Sequence, residues 1–392
     1  MPSVSVIIPS YNHEKFVEEC INSVLHQTFQ DFEIIITDDA STDRTVEIIE
    51  RFEDPRIKLF KHSKNQGVSI AANNCILHAS GKYIAWLSTD DAWYPEKLEL
   101  QARYLDKHPE LGVVFGKVDW IDEFGNLIID KNFPYLHVFN VPNRTRVEWL
   151  RHFFLIGNCL SLPSSLIRKE CFEKVGMFDP RYAKIPDLDL WIRICFEYDI
   201  EILDRKLIRN RWIGDERNAS GNTIRNRIQV QFEHRHSLNH YLRLTSPDEL
   251  LSIFPDAVTY GKVTKGIVPY FLGRIAIENG WHYKILWGLD IISALLQNEN
   301  AAQSLEENCN FTYRDFINLT SQCDTFNVEA LESVVQKEQA VKTLMTQLDE
   351  RQQTIQLLSK EMYGIEQELE SIKNSRSWRY VEFLKRFWGN LH

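Results

Sequence analysis

Short runs of apolar, β-branched residues alternate along the first hundred positions with stretches whose apolar side chains recur every three or four residues. Val4-Ser5-Val6-Ile7-Ile8-Pro9 is the first such run, stopped by proline, and it reads as a buried strand. Phe16, Val17, Cys20, Ile21, Val24 and Leu25 then fall at helical spacing within 14–27. Phe32 to Thr37 is a second strand, and Ser41-Thr42-Asp43 offers N-cap oxygens to a helix running to Phe52. Ile57 to Phe60 is a third strand, 68–79 a helix closed by Gly81, and Tyr83 to Leu87 a fourth strand that runs into Ser88-Thr89-Asp90-Asp91. Pro95 opens a helix through Tyr104. Strict alternation of this kind predicts βαβ units, an α/β fold and a mostly parallel sheet. Ligands of such sheets sit beyond the carboxyl ends of the strands, where this chain carries Tyr11-Asn12, Asp38-Asp39 and Asp90-Asp91.

Beyond 111 the pattern is mixed. Val113 to Gly116 reads as a strand, Asp122-Glu123-Phe124-Gly125-Asn126 as a hairpin turn, 187–198 as a helix and Glu201 to Leu203 as a last strand. The polar, glycine-bearing stretch 213–222 reads as a loop. These elements place one domain over 1–222 and a separate helical region over 223–327.

A heptad follows in 328–374. One seam position is Val334, Val341, Leu348, Ile355, Met362 and Leu369; the other is Lys337, Leu344, Arg351, Leu358, Ile365 and Ile372. A period of seven, not 3.6, favours a coiled coil and a homo-oligomer through 330–372 over a long helix packed back on its own domain. The tail 375–392 mixes Arg376, Arg379, Lys385 and Arg386 with Trp378, Tyr380, Phe383, Phe387 and Trp388. Two readings stand: a helix in the membrane interface, or a terminal helix docked on protein.

Composition narrows the partners. A net charge of −10 argues against general nucleic-acid binding. Seven widely spaced cysteines form no CxxC pair or zinc cluster and read as reduced core thiols. The start of the chain shows no signal-peptide pattern and no apolar run nears the roughly 20 residues of a membrane span, so the expectation is a cytoplasmic protein whose membrane contact, at the inner face, is peripheral.

The acidic pairs carry the candidate chemistry. Adjacent carboxylates such as Asp90-Asp91 are costly unless a cation neutralises them, and Mg²⁺ or Mn²⁺ takes both carboxylate and phosphate oxygens. The bland alternative makes Asp91 a cap of the following helix. Asp38-Asp39 offers acceptors to a base or ribose; the alternative is turn chemistry with Ser41 and Asp43. Asp187, after Pro186 at a helix start, is held ionised by the dipole and is placed to take a proton from a hydroxyl, or else is a structural helix-start residue.

Together VSVIIPSYN (Val4 to Asn12), DDASTDRT (Asp38 to Thr45), Asn65-Gln66-Gly67, GKYIAWLSTDD (Gly81 to Asp91), Gly176-Met177-Phe178-Asp179 and DLDLWIR (Asp187 to Arg193) resemble family 2 glycosyltransferases over roughly 1–220. The resemblance implies a GT-A fold and an inverting, metal-dependent hexosyltransferase taking a nucleotide-diphospho-sugar donor and a glycan or lipid-linked acceptor, in polysaccharide or cell-surface glycan synthesis. It places Pro9, Tyr11 and Asn12 at the nucleoside, Asp39 at the base with Asp38 and Asn65 beside it, Asp90 at the ribose or metal, Asp91 on the metal, and Asp187 as base. The chain departs from the family at Pro186, where an acidic residue is frequent, at Ala72, where arginine is frequent, and at Asp215-Glu216-Arg217, where a histidine is frequent; diphosphate contact there falls to Arg217. A catalytically inactive GT-A-like scaffold is the rival reading. A dinucleotide-binding dehydrogenase is excluded, because Pro9-Ser10-Tyr11-Asn12 holds no glycine.

Overall fold

The computed structural model describes residues 1–214, 218 and 221–389, the last three by backbone alone. Two compact units result, Met1–Cys323 and Asp324–His392.

The first unit is built on a sheet of strands β1 (Val4–Ser10), β2 (Phe32–Asp38), β3 (Ile57–Lys61), β4 (Tyr83–Trp86), β5 (Ala92–Trp93), β6 (Leu111–Ile121), β7 (Leu166–Arg168) and β8 (Asp199–Arg211), in the order β3-β2-β1-β4-β7-β6-β8-β5. β3, β2, β1 and β4 are mutually parallel. β7 is antiparallel to both β4 and β6, which returns β6 to their direction, and β8 is parallel to β6. Six strands thus share one direction, and the short β5 and β7 run against them. The two reversed strands were not foreseen, and β6 and β8 extend well beyond the expected 113–116 and 201–203. Their lengths come from pairing with each other, which no local pattern encodes.

Helices α1 (Val17–Leu25), α2 (Thr45–Glu50), α3 (Val68–His78), α4 (Lys97–Lys107), α5 (Arg146–Leu155), α6 (Lys169–Val175) and α7 (Pro186–Cys195) cover the two faces. Alternation along β1 divides the core: Val4, Val6 and Ile8 pack with α1 and α4, while Ile7 packs with α3 and α5. All four are fully buried, and each such aliphatic side chain stabilises the fold by roughly 1.5–3 kcal/mol. Gly81 passes so close to β1 that a Cβ there would lie 2.6 Å from the Ser5 amide nitrogen.

The expected break at 222 does not coincide with a break in the core. Helices α8 (Ile224–Ser237), α9 (Pro247–Ile253), α10 (Val268–Glu278), α11 (His282–Leu296), α12 (Glu299–Cys309) and α13 (Tyr313–Gln322) continue the packing begun by α5. Phe154 of α5 meets Tyr241 and Phe254 at 4.9 Å and Trp287 at 5.9 Å between ring centroids. The Tyr241 hydroxyl donates to the Leu150 carbonyl at 2.7 Å. The seven cysteines are unbridged, five of them buried.

The second unit holds α14 (Val328–Asn374) and α15 (Arg376–Gly389). Every apolar seam residue of α14 is exposed, from 48% at Leu369 to 63% at Leu344. On α15 Trp378, Tyr380 and Phe383 are exposed as well; the Phe387 and Trp388 side chains lie outside the described residues. Among the described residues no helix is long and apolar enough to cross a membrane.

Candidate active site

Because six strands share a direction, their carboxyl ends meet along one edge of the sheet. A cleft of about 800 Å³ opens there. The strand order gives it two halves, with Asp90-Asp91 after β4 between them. One half is built on the ends of β1 and β2. The other is built on β6 and β8. Pro9, Tyr11, Asn12, Asp39, Asn65, Asp90, Asp91 and Asp187 all line this cleft.

On the first half, Asn12 takes a left-handed conformation (φ 54°). Its N–H donates to Ser41 Oγ at 2.9 Å, and its Oδ1 accepts the Thr42 N–H at 2.8 Å. These bonds tie the end of β1 to the loop after β2. Tyr11 beside it is 43% exposed and free to meet a ligand face. The Asp39 carboxylate accepts from the Gln66 and Gly67 amides, at 2.7 Å for Gly67, and bonds His62 Nδ1 at 2.7 Å. It thereby fixes the Asn65-Gln66-Gly67 turn as a wall of the cleft. Gly67 sits there at φ 95°, a conformation that disfavours any side chain.

Asp38 was placed beside the base by the resemblance, but it does not line the cleft: its oxygens accept the Ser41 N–H at 2.8 Å and the Ser41 hydroxyl at 2.5 Å. The turn chemistry weighed as the alternative holds for this residue, because a short carboxylate reaches its own i+3 backbone more readily than a ligand.

At the centre, the two-residue strand β5 separates Asp91 from α4, so Asp91 does not cap that helix. Its Oδ1 accepts the Arg211 N–H at 2.8 Å. Burial, and then the charge of Asp90, push its pKa well above the ordinary carboxylate range. Arg211 is adjacent, yet its guanidinium is spent on the Asp90 and Asp122 carbonyls, at 2.8 and 3.0 Å, and on Glu19. Burial and crowding thus hold Asp91 back from its charged form until positive charge is supplied, which fits a divalent cation. Among the described residues no group of three or more His, Cys, Asp or Glu side chains gathers. The protein would supply two carboxylates, and ligand phosphates and water would complete the shell.

Asp187, at the first turn of α7, accepts the Leu188 N–H at 2.8 Å and an amide hydrogen from Asn158 at 2.6 Å. Burial outweighs these bonds and pushes the pKa up to about 6. The helix dipole favours the ionised form of this group, but desolvation is the larger effect.

The second half is aromatic. Trp120 stacks on Phe139 at 5.7 Å, and Tyr135 meets Trp212 at 4.7 Å. Trp120, Tyr135, Phe139 and Trp212 line the cleft. Arg211, Asn158 and this aromatic wall escaped the sequence reading, since 120, 135, 158 and 211 share no local spacing. Arg217, assigned to diphosphate contact, lies outside the described residues with Asp215 and Glu216.

The sheet and the acidic cleft at its carboxyl edge are those of a GT-A glycosyltransferase. Residues 5–175 match the family described as glycosyl transferase family 2. An uncharacterized glycosyltransferase of Methanocaldococcus jannaschii is 31% identical over 215 residues, 54% of this chain and 71% of that one. TuaG of Bacillus subtilis, named for teichuronic acid biosynthesis, is 42% identical over 106 residues, 26% of this chain and 42% of that one. Among solved structures, TarS 1-349 of S. aureus in complex with UDP shares the fold, with a TM-score of 0.50 at 18% identity over 78% of this chain and 90% of that one. The chain belongs to glycosyltransferase family 2.

Proposed function

We propose that this glycosyltransferase moves a hexose from a nucleotide-diphospho-sugar to a hydroxyl of a glycan or lipid-linked acceptor, with inversion at the anomeric carbon, in polysaccharide synthesis. The observation that carries the reading is one cleft faced by both Asp90-Asp91 and Asp187. The nucleoside lies over Pro9, Tyr11 and Asn12, with Asp39 and Asn65 at the base. Asp91, with Asp90 beside it, would hold Mg²⁺ or Mn²⁺, and that ion would supply positive charge at the diphosphate. Asp187 takes the proton of the acceptor hydroxyl as its oxygen bonds the anomeric carbon. The bond from that carbon to the diphosphate breaks, its electron pair leaves with the diphosphate, and no covalent enzyme intermediate forms. The aromatic wall, facing the other half of the cleft, suits the apolar face of an acceptor sugar. Naming of the relative TuaG for teichuronic acid biosynthesis supports a polymer as the product.

The exposed seam of α14 supports a homo-oligomer, and the basic, aromatic α15 supports peripheral contact with the inner face of a membrane holding the acceptor. The test is a thermal-shift screen of UDP-, GDP- and dTDP-sugars, with Mn²⁺ or with EDTA, on wild type and Asp91→Ala. Stabilisation should require both the metal and Asp91. No shift with any donor would favour the inactive scaffold.

A further inference from the structure

Glu233 of α8 is 3% exposed, and its carboxylate points away from solvent into the loop that leads to α7. Oε1 accepts the Ala183 N–H at 3.0 Å; Oε2 accepts the Lys184 and Ile185 N–H groups at 2.8 and 2.9 Å. Three consecutive amides thus converge on one carboxylate from 48 to 50 residues away. Ile185, the N-cap position of α7, makes no side-chain cap bond of its own, so this carboxylate serves the amides that lead into the helix. Lys184 and Ile185 line the cleft, and Asp187 follows two residues later. Charge-assisted bonds of this kind are roughly twice as strong as neutral ones, and three of them hold the approach to α7 in a single course.

We propose that Glu233 is a positioning residue for Asp187: it fixes where in the cleft the Asp187 carboxylate stands, and its charge adds to the pH at which Asp187 gives up its proton. This rests on Asp187 acting as the base. The other charged groups around Asp187 are committed elsewhere or common to the cleft. Asp189 is turned to Arg193 and to His240, both at 2.7 Å. Lys184 sits beside Glu233 itself, while Asp90, Asp91 and Arg211 line the same cleft. Burial is what chiefly raises the proton affinity of Asp187, and the charge of Glu233 adds a smaller push in the same direction.

The test is steady-state kinetics across pH on the full chain, with a donor that the wild type turns over, on Glu233→Gln and Glu233→Asp, each checked by thermal melting. Glu233→Gln should lower kcat about 10- to 100-fold with the donor KM within about twofold. It should also move the acid limb of the kcat profile to lower pH, because a negative charge near Asp187 is gone. Glu233→Asp keeps the charge but is too short for all three amides, so kcat should fall while the acid limb stays. A folded Glu233→Gln enzyme with the wild-type kcat and acid limb overturns the proposal, as does a loss that only tracks the folded fraction. If Glu233→Gln does not fold, a folded Glu233→Asp enzyme with wild-type kcat overturns it equally. A wild type inactive with every nucleotide sugar removes the transfer reading and this proposal together; an active wild type separates the two.

Discussion

A carboxylate at the first turn of a helix is ordinarily stabilised in its charged form by the dipole. Asp187 has that place and two hydrogen bonds besides, yet burial takes its pKa from 3.8 to about 6. The sign of the linkage follows. The folded value lies above the unfolded one, so stability is undiminished below about pH 4 and declines as pH rises through 6. Two units correspond to at most about 3 kcal/mol at neutral pH. Asp187→Asn should therefore melt higher than wild type at pH 8, with the advantage gone by pH 4, while transfer falls roughly 10²- to 10⁴-fold. Melting curves at the two pH values and a rate assay check both halves. A variant that is less stable than wild type at pH 8 would contradict the desolvation argument. In the proposed role of Asp187, a base with a pKa near 6 is deprotonated at neutral pH and still basic enough to accept a proton, so the destabilising burial would also serve the chemistry.

At the scale of elements, Glu33 of β2 does for the sheet what no periodicity announces. It accepts from Ser5 of β1, from the amide and hydroxyl of Ser80 ahead of β4, and from Lys58 of β3, each at 2.7 Å. Burial alone would raise its pKa, but the Lys58, Ser5 and Ser80 bonds outweigh burial and bring it to about 2. Here the folded value lies below the unfolded one. The stability Glu33 contributes is present above about pH 4.5 and is lost as pH falls toward 2. Glu33→Gln should cost about 1–3 kcal/mol at pH 7 and much less near pH 2, readable by urea unfolding at each pH. An equal cost at both would show that shape and not charge holds these four segments together.

For the whole molecule, α14 presents an apolar seam with period seven and no buried residue along 47 positions. Side chains at those positions gain from burial only against another helix, and knobs-into-holes packing between copies supplies one. Light scattering on the full chain should return a multiple of 46.1 kDa. Leu344→Asp with Leu358→Asp should return the monomer mass, with donor-induced thermal shifts retained because the cleft lies in the first unit. A monomeric wild type would dismiss the coiled coil.

Sequence alone determined the αβ alternation of the first hundred residues, the acidic strand ends, the α7 start and the heptad, because each is a local periodicity or a short motif whose chemistry lies within a few positions. It did not determine which half of Asp38-Asp39 faces the cleft, since both are strand-end carboxylates and the Ser41 contact that occupies Asp38 depends on the fold of the turn. It gave no sign that β5 separates Asp91 from α4, or that Arg211 would be spent on carbonyls next to the pair. Nor did it show that the helices after 222 share the core of the sheet domain and return Glu233 to the loop before Asp187. These were decided by tertiary structure: the Asp38 contact, only three residues long, depends on how the turn folds, and the others depend on groups dozens of residues apart coming together, which leaves no period in the chain.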